Sequence, residues 1–256
     1  MKQFIWIAIL LTYSLIANAN SISVEERIAI AKTLLYEGGI LEDKETILRG
    51  YKQLTAIYQT HPTPQVLYFI AQAKYELVRL GVSDKANVQY LQYLDQAINR
   101  VEELLQQKPT WSEVYALKSM LQGLRIIYNP ISAVTAGPKS YYAAEEAVKL
   151  DSTNPRAWMA RGIVRYHMPT VFGGSVRTAI ECFKKSIALF ERSNSQQPLE
   201  PSWGYLDALL WLGWAYQQQN EFDKAADLYR KALSREPRAM FIKNYFLPIL
   251  EKKQRE

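Results

Sequence analysis

Residues 206–237 read LDALLWLGWAYQQQNEFDKAADLYRKALSREP, and this window decides the fold. With Leu206 as position 1, large apolar residues fall at 4 (Leu209), 7 (Leu212), 11 (Tyr216), 17 (Phe222) and 24 (Tyr229). Small residues fall at 8 (Gly213), 20 (Ala225) and 27 (Ala232), and Pro237 closes the window. Spacings of three and four put each set on one face of a helix, so the window reads as two helices joined by a turn. Gly213 and Ala225 lack bulk and let the helices approach closely, while Leu212, Tyr216 and Tyr229 fill the seam.

This pattern resembles the tetratricopeptide repeat (TPR), departing from it at Leu209, where Trp is commoner, and at Asn220, where Gly is commoner. Weaker copies lie upstream. Asn154-Pro155 opens a helix in which Trp158 and Gly162 take positions 4 and 8, with Ala179, Phe183 and Ser186 on its partner. Tyr115 and Ser119 pair with Ala144 and Ala147, and Leu67 and Ala71 with Ala97 and Val101. The expected fold is therefore all-α: a right-handed superhelix of about five irregular TPR-like hairpins. These cover 24–62, 64–109, 112–152, 155–191 and 206–237, with a capping helix at 238–252. Residues 128–139, rich in Pro, Gly and Ser, read as a long connection. Each hairpin should contact mainly its neighbours.

The N-terminus is different in kind. Lys2 precedes the apolar run Phe4–Ile16, and Ala17-Asn18-Ala19 is an A-x-A cleavage pattern. The run is shorter than the roughly twenty residues a membrane-spanning helix needs. Residues 1–19 are therefore expected to be a cleaved signal peptide, leaving 20–256 as a single domain, periplasmic or secreted, with no stable membrane span. Cleavage takes the net charge from +6 to +5. That balance is mild and no block of like charge stands out, which argues against nucleic acid as a partner. Cys182 is the only cysteine, so no intrachain disulfide is possible, and it reads as a buried packing residue.

No catalytic, metal or cofactor motif occurs. The two histidines, His61 and His167, stand in no H-E-x-x-H, and no C-x-x-C, G-x-S-x-G or Walker-type loop is present. Expected binding residues come from the repeat resemblance, which implies that positions 2, 5, 9, 12 and 13 of each first helix line a concave groove. Those positions hold Gln65, Tyr68, Gln72 and Tyr75; Glu113, Met120 and Leu124; Arg156, Met159, Tyr166 and His167; and Asp207, Leu210, Trp214 and Gln217. Trp214 is the ring expected to be exposed for contact. In the segment 200–207, Ser202 is expected to cap the next helix with Trp203 in its first turn.

Residues 168–175, MPTVFGGS, resemble the P-x-x-x-G-G-[DS] turn of exported bacterial TPR-like proteins, including the T-component of TRAP transporter systems. The resemblance covers 154–191 and implies that Pro169, Phe172, Gly173 and Gly174 form an insertion loop at a ligand channel or partner face. The leading expectation is a non-enzymatic exported scaffold that holds a protein or peptide segment of the cell envelope. The alternative is a T-component-like periplasmic protein that passes a small, partly apolar ligand to a transporter. An open groove of Tyr68, Tyr75, Tyr166 and Trp214 would favour the first, and an apolar tunnel closed at Phe172 the second.

Overall fold

The computed structural model describes residues 22–84, 86–193 and 199–255; the expected signal segment lies outside them. Among the described residues there are eleven α-helices and no strand. They pair as α1 (Val24–Leu41) with α2 (Lys44–Thr60), α3 (Pro64–Leu80) with α4 (Val88–Gln107), and α5 (Ser112–Tyr128) with α6 (Ala133–Leu150). Then α7 (Pro155–His167) pairs with α8 (Val176–Arg192), and α9 (Tyr205–Gln217) with α10 (Phe222–Arg235); α11 (Leu247–Arg255) follows. Within the described residues, no helix is long and apolar enough to cross a membrane.

Local chemistry fixes the helix starts. Ser23 and Glu26 form a reciprocal capping box on α1, and Asp43, Thr63, Asn87, Asn154 and Ser175 each accept a first-turn N–H of the helix that follows. Pro64 and Pro155 sit in first turns, where a missing N–H costs nothing. Within hairpins, small residues meet large ones as the sequence implied. Gly162 faces the ring of Phe183 and Gly213 the ring of Tyr229. Asn220 adopts φ +59° in the turn between α9 and α10, a left-handed conformation that glycine or asparagine tolerates best.

Three boundaries differ from expectation. Residues 128–139 are mostly helical: after a short turn at Pro130–Ser132, α6 begins at Ala133 and carries Pro138 within it. Pro138 lies in the second turn on the exposed side, so it removes one hydrogen bond without ending the helix. The C-terminal cap is helical over 240–255 instead of 238–252, and its winding changes within it. Ile242–Phe246 forms a widened π turn before α11, because Pro248 has no N–H for the carbonyl four residues back. Finally, Gly204 rather than Ser202 precedes α9, at φ +104° and without a side-chain cap.

The superhelix closes on itself. The Tyr36 hydroxyl of α1 donates to the Glu236 carboxylate at 3.4 Å, and Arg238 lies 3.6 Å from Glu37. The N-terminal hairpin thus meets the C-terminal repeat across an inner channel.

Candidate functional site

The inner channel is occupied by the chain itself. Between α8 and α9, residues 199–204 cross it as a strap. The Trp203 indole N–H donates to the Tyr68 hydroxyl at 3.1 Å, and its ring lies 5.6 Å from Tyr75. Arg156 donates to the Pro201 carbonyl at 2.6 Å and stacks its guanidinium 5.5 Å over the Trp203 ring, while Lys32 donates to the Glu200 carbonyl. Tyr68 is 0% exposed and Trp203 6%. Gly204 is required at the strap's end: its φ is left-handed, and a Cβ there would come within 3.0 Å of Phe190 Cζ.

The expected groove residues are therefore divided among several places, and those at the strap are covered instead of lining an open groove. Tyr68, Tyr75 and Arg156 pack around Trp203; Gln217 is buried and donates to the Tyr229 hydroxyl at 2.6 Å. Trp214 is half-buried with its ring 5.9 Å from Phe246, not free on a concave wall. Tyr166 and His167 cluster edge-on with Trp211, at 5.9 and 5.4 Å. One side of His167 remains exposed, yet desolvation against these rings lowers its pKa. Gln72 and Asp207 belong to a separate place, a cavity of about 360 Å³ between α1, α3, the strap and the start of α9.

Charge inside the channel is paired. Arg156 and Glu113 form a buried ion pair at 2.9 Å, and burial pushes the Glu113 carboxyl up while Arg156 opposes the shift. On the cavity wall, Arg79 bridges Glu76 at 2.9 Å and Asp207 at 3.6 Å. Burial likewise raises the Glu76 carboxyl, against the pull of Arg79.

Lys32 differs. Burial, then the charge of Arg156, lowers its pKa from 10.5 to about 8, with Glu200 opposing. The folded state thus releases a proton that the unfolded chain keeps between pH 8 and 10.5. The cost of the buried ammonium is full below pH 8 and fades as pH rises through that window. The melting temperature of Lys32→Met, relative to wild type, is therefore expected to be higher at pH 7 than at pH 10. A difference that does not change with pH would contradict the assigned burial.

The insertion loop has the opposite character. Gly173 takes φ +93°, and its carbonyl accepts from Arg165 at 3.1 Å; the Gly174 N–H donates to the Pro169 carbonyl and the Ser175 N–H to that of Arg165. A Cβ at Gly174 would overlap the Met168 carbonyl. Arg165 is held in turn by Glu145 at 2.8 Å and by the Tyr141 ring. This fixed loop presents Val171 and Phe172 at 83% and 74% exposure. Phe172 points to solvent and closes no tunnel. The buried Cys182 thiol is pushed up by desolvation and acts as packing.

The strap is what sequence reasoning missed. Its signal was the stretch between Arg192 and Tyr205, longer than the two to eight residues usual between bundle helices and carrying Pro201 and Trp203.

Residues 206–238 match the family profile of the tetratricopeptide repeat. The fold is similar to that of the HusA haemophore from Porphyromonas gingivalis, with a TM-score of 0.64 and 18% identity over 78% of this chain and 96% of that one. It is also similar to a thermophilic TPR protein from Thermus thermophilus, with a TM-score of 0.55 and 14% identity over 88% and 100%. At these identities the likeness is one of fold. Comparison with curated proteins finds no matching sequence.

Proposed function

From a chain that carries a tetratricopeptide repeat in a closed tetratricopeptide-like superhelix, we propose an exported, non-enzymatic interaction scaffold of the cell envelope. Its partner is a protein segment, docked on the outer face at the insertion loop rather than in the strap-filled channel. The observation that carries this reading is the pair Val171 and Phe172, largely exposed on a loop whose backbone is locked by Gly173, Gly174 and Arg165. Large apolar side chains held rigidly in water lose little entropy on binding and gain from being covered. Export rests on Lys2, the run Phe4–Ile16 and the A-x-A pattern ending at Ala19.

The double variant Val171→Ser, Phe172→Ser is expected to keep its melting temperature, because neither side chain is packed. Capture of the partner from an envelope fraction should fall at least about thirtyfold, the effect of losing roughly 2 kcal/mol at an interface anchor. Undiminished capture would remove the loop from the interface. Mass spectrometry of the mature N-terminus tests export: a chain beginning at Asn20 supports it, and one beginning at Met1 overturns it.

A further inference from the structure

The cavity between α1, α3 and the start of α9 carries a polar arrangement that the fold itself does not use. Gln72 lines it, is 6% exposed, and has no hydrogen bond to its amide among the described residues. The amide opens into the cavity instead of onto a protein group, which leaves its donor and acceptor directed at whatever occupies that space. The first turn of α9, Tyr205 to Asp207, lines the same cavity, and Gly204 supplies no side-chain cap for its N–H groups. An uncapped helix N-terminus favours negative charge. Three cations line the cavity: Lys32, which also donates to the Glu200 carbonyl, Arg235, whose guanidinium lies over the Tyr205 ring, and Arg79, which bridges Glu76 and Asp207. Among its charged residues, three cations face two carboxylates, a formal balance of +1. Leu35, Ile40, Trp203, Leu206 and Phe241 supply apolar wall.

We propose that this cavity binds a small amphipathic monocarboxylate. Its carboxylate lies at the start of α9, within reach of the Gln72 amide and on the side of Lys32 and Arg235, and its apolar body lies against Trp203 and Phe241. One negative charge matches the lining, whereas a dianion would meet Glu76 and Asp207. About 360 Å³ is the scale of a small-ligand pocket. The site is separate from the insertion loop, so it stands whether or not that loop docks a partner.

Titration calorimetry of the full chain with octanoate and 4-phenylbutyrate tests it, with octanamide and octylammonium as neutral and cationic controls. Saturable binding of about one carboxylate per chain is expected, with both controls at least tenfold weaker. Gln72→Leu should weaken octanoate at least tenfold while the ligand-free melting temperature changes little, because the amide bonds no other protein group. A merely structural Gln72 would instead give a lower melting temperature and unchanged affinity. Arg235→Gln, on the surface and outside the core, should weaken octanoate without altering the fold. Absence of saturable binding, equal or tighter binding of octylammonium, or affinity untouched by both variants overturns the proposal.

Discussion

Gly213→Leu is expected to lower the melting temperature by about 10 °C. On α9, Gly213 faces Tyr229 of α10 so closely that a Cβ would overlap Cε1 of the ring and lie 2.9 Å from Cζ. The ring has nowhere to retreat. It is fully buried, its hydroxyl receives the Gln217 amide at 2.6 Å, and Phe246 packs edge-on at 5.5 Å. Overpacking a core ordinarily costs about 1–3 kcal/mol, and a rigid ring anchored on both sides puts this site at the upper end or beyond. For a chain of this size each kcal/mol moves the melting temperature by about 2–4 °C. Circular dichroism melts of Gly213→Leu, alone and with Tyr229→Ala, check the argument. The second change should recover part of the loss by vacating the space the leucine needs. An unaltered melt of the single variant would mean that the helices do not cross where Gly213 and Tyr229 meet.

That crossing was readable because its information is local. Position 8 and position 24 lie on adjacent helices, and a small residue opposite a large one leaves a periodic trace; Gly162 and Phe183 repeat it one hairpin earlier. Helix starts were readable for the same reason, since Asn154 and Ser175 act within three residues of themselves. The occupant of the channel was not. Trp203 and Tyr68 are 135 residues apart, and Tyr36 and Glu236 are 200 apart. Periodicity predicts which face of a helix turns inward, and Tyr68, Gln72, Tyr75 and Arg156 do turn inward. It cannot predict whether water, a partner or the chain's own strap fills the space they face. Helical spacing is likewise blind to a cavity, so Gln72 read as one more groove position although its amide opens into a space apart from the strap-filled channel.

Trp203→Ala is expected to be the most damaging single change in the strap, at about 4–5 kcal/mol. Truncating a buried tryptophan ordinarily costs about 3–5 kcal/mol through lost transfer energy and the cavity left behind. Here it also strands the Tyr68 hydroxyl, which is 0% exposed and receives the indole N–H. A buried hydroxyl deprived of its partner adds about 1–3 kcal/mol unless water enters the new space. Trp203→Phe keeps much of the ring against Tyr75 and Arg156 and loses the N–H, so it should cost about 1–2 kcal/mol. Tyr68→Phe removes the other half of the same bond. The double variant Trp203→Phe, Tyr68→Phe should therefore be less destabilised than the sum of the singles, by about 0.5–1 kcal/mol. Because the strap ties α1 to α3 and α7 through Lys32, Tyr68 and Arg156, Trp203→Ala should raise amide exchange most in α1 and α3, and least in α5 and α6, whose close pairing does not involve it. If Trp203→Ala melts within about 1 °C of the wild type, roughly the effect of a surface substitution, the strap is a dispensable covering and the channel is open to a partner after all.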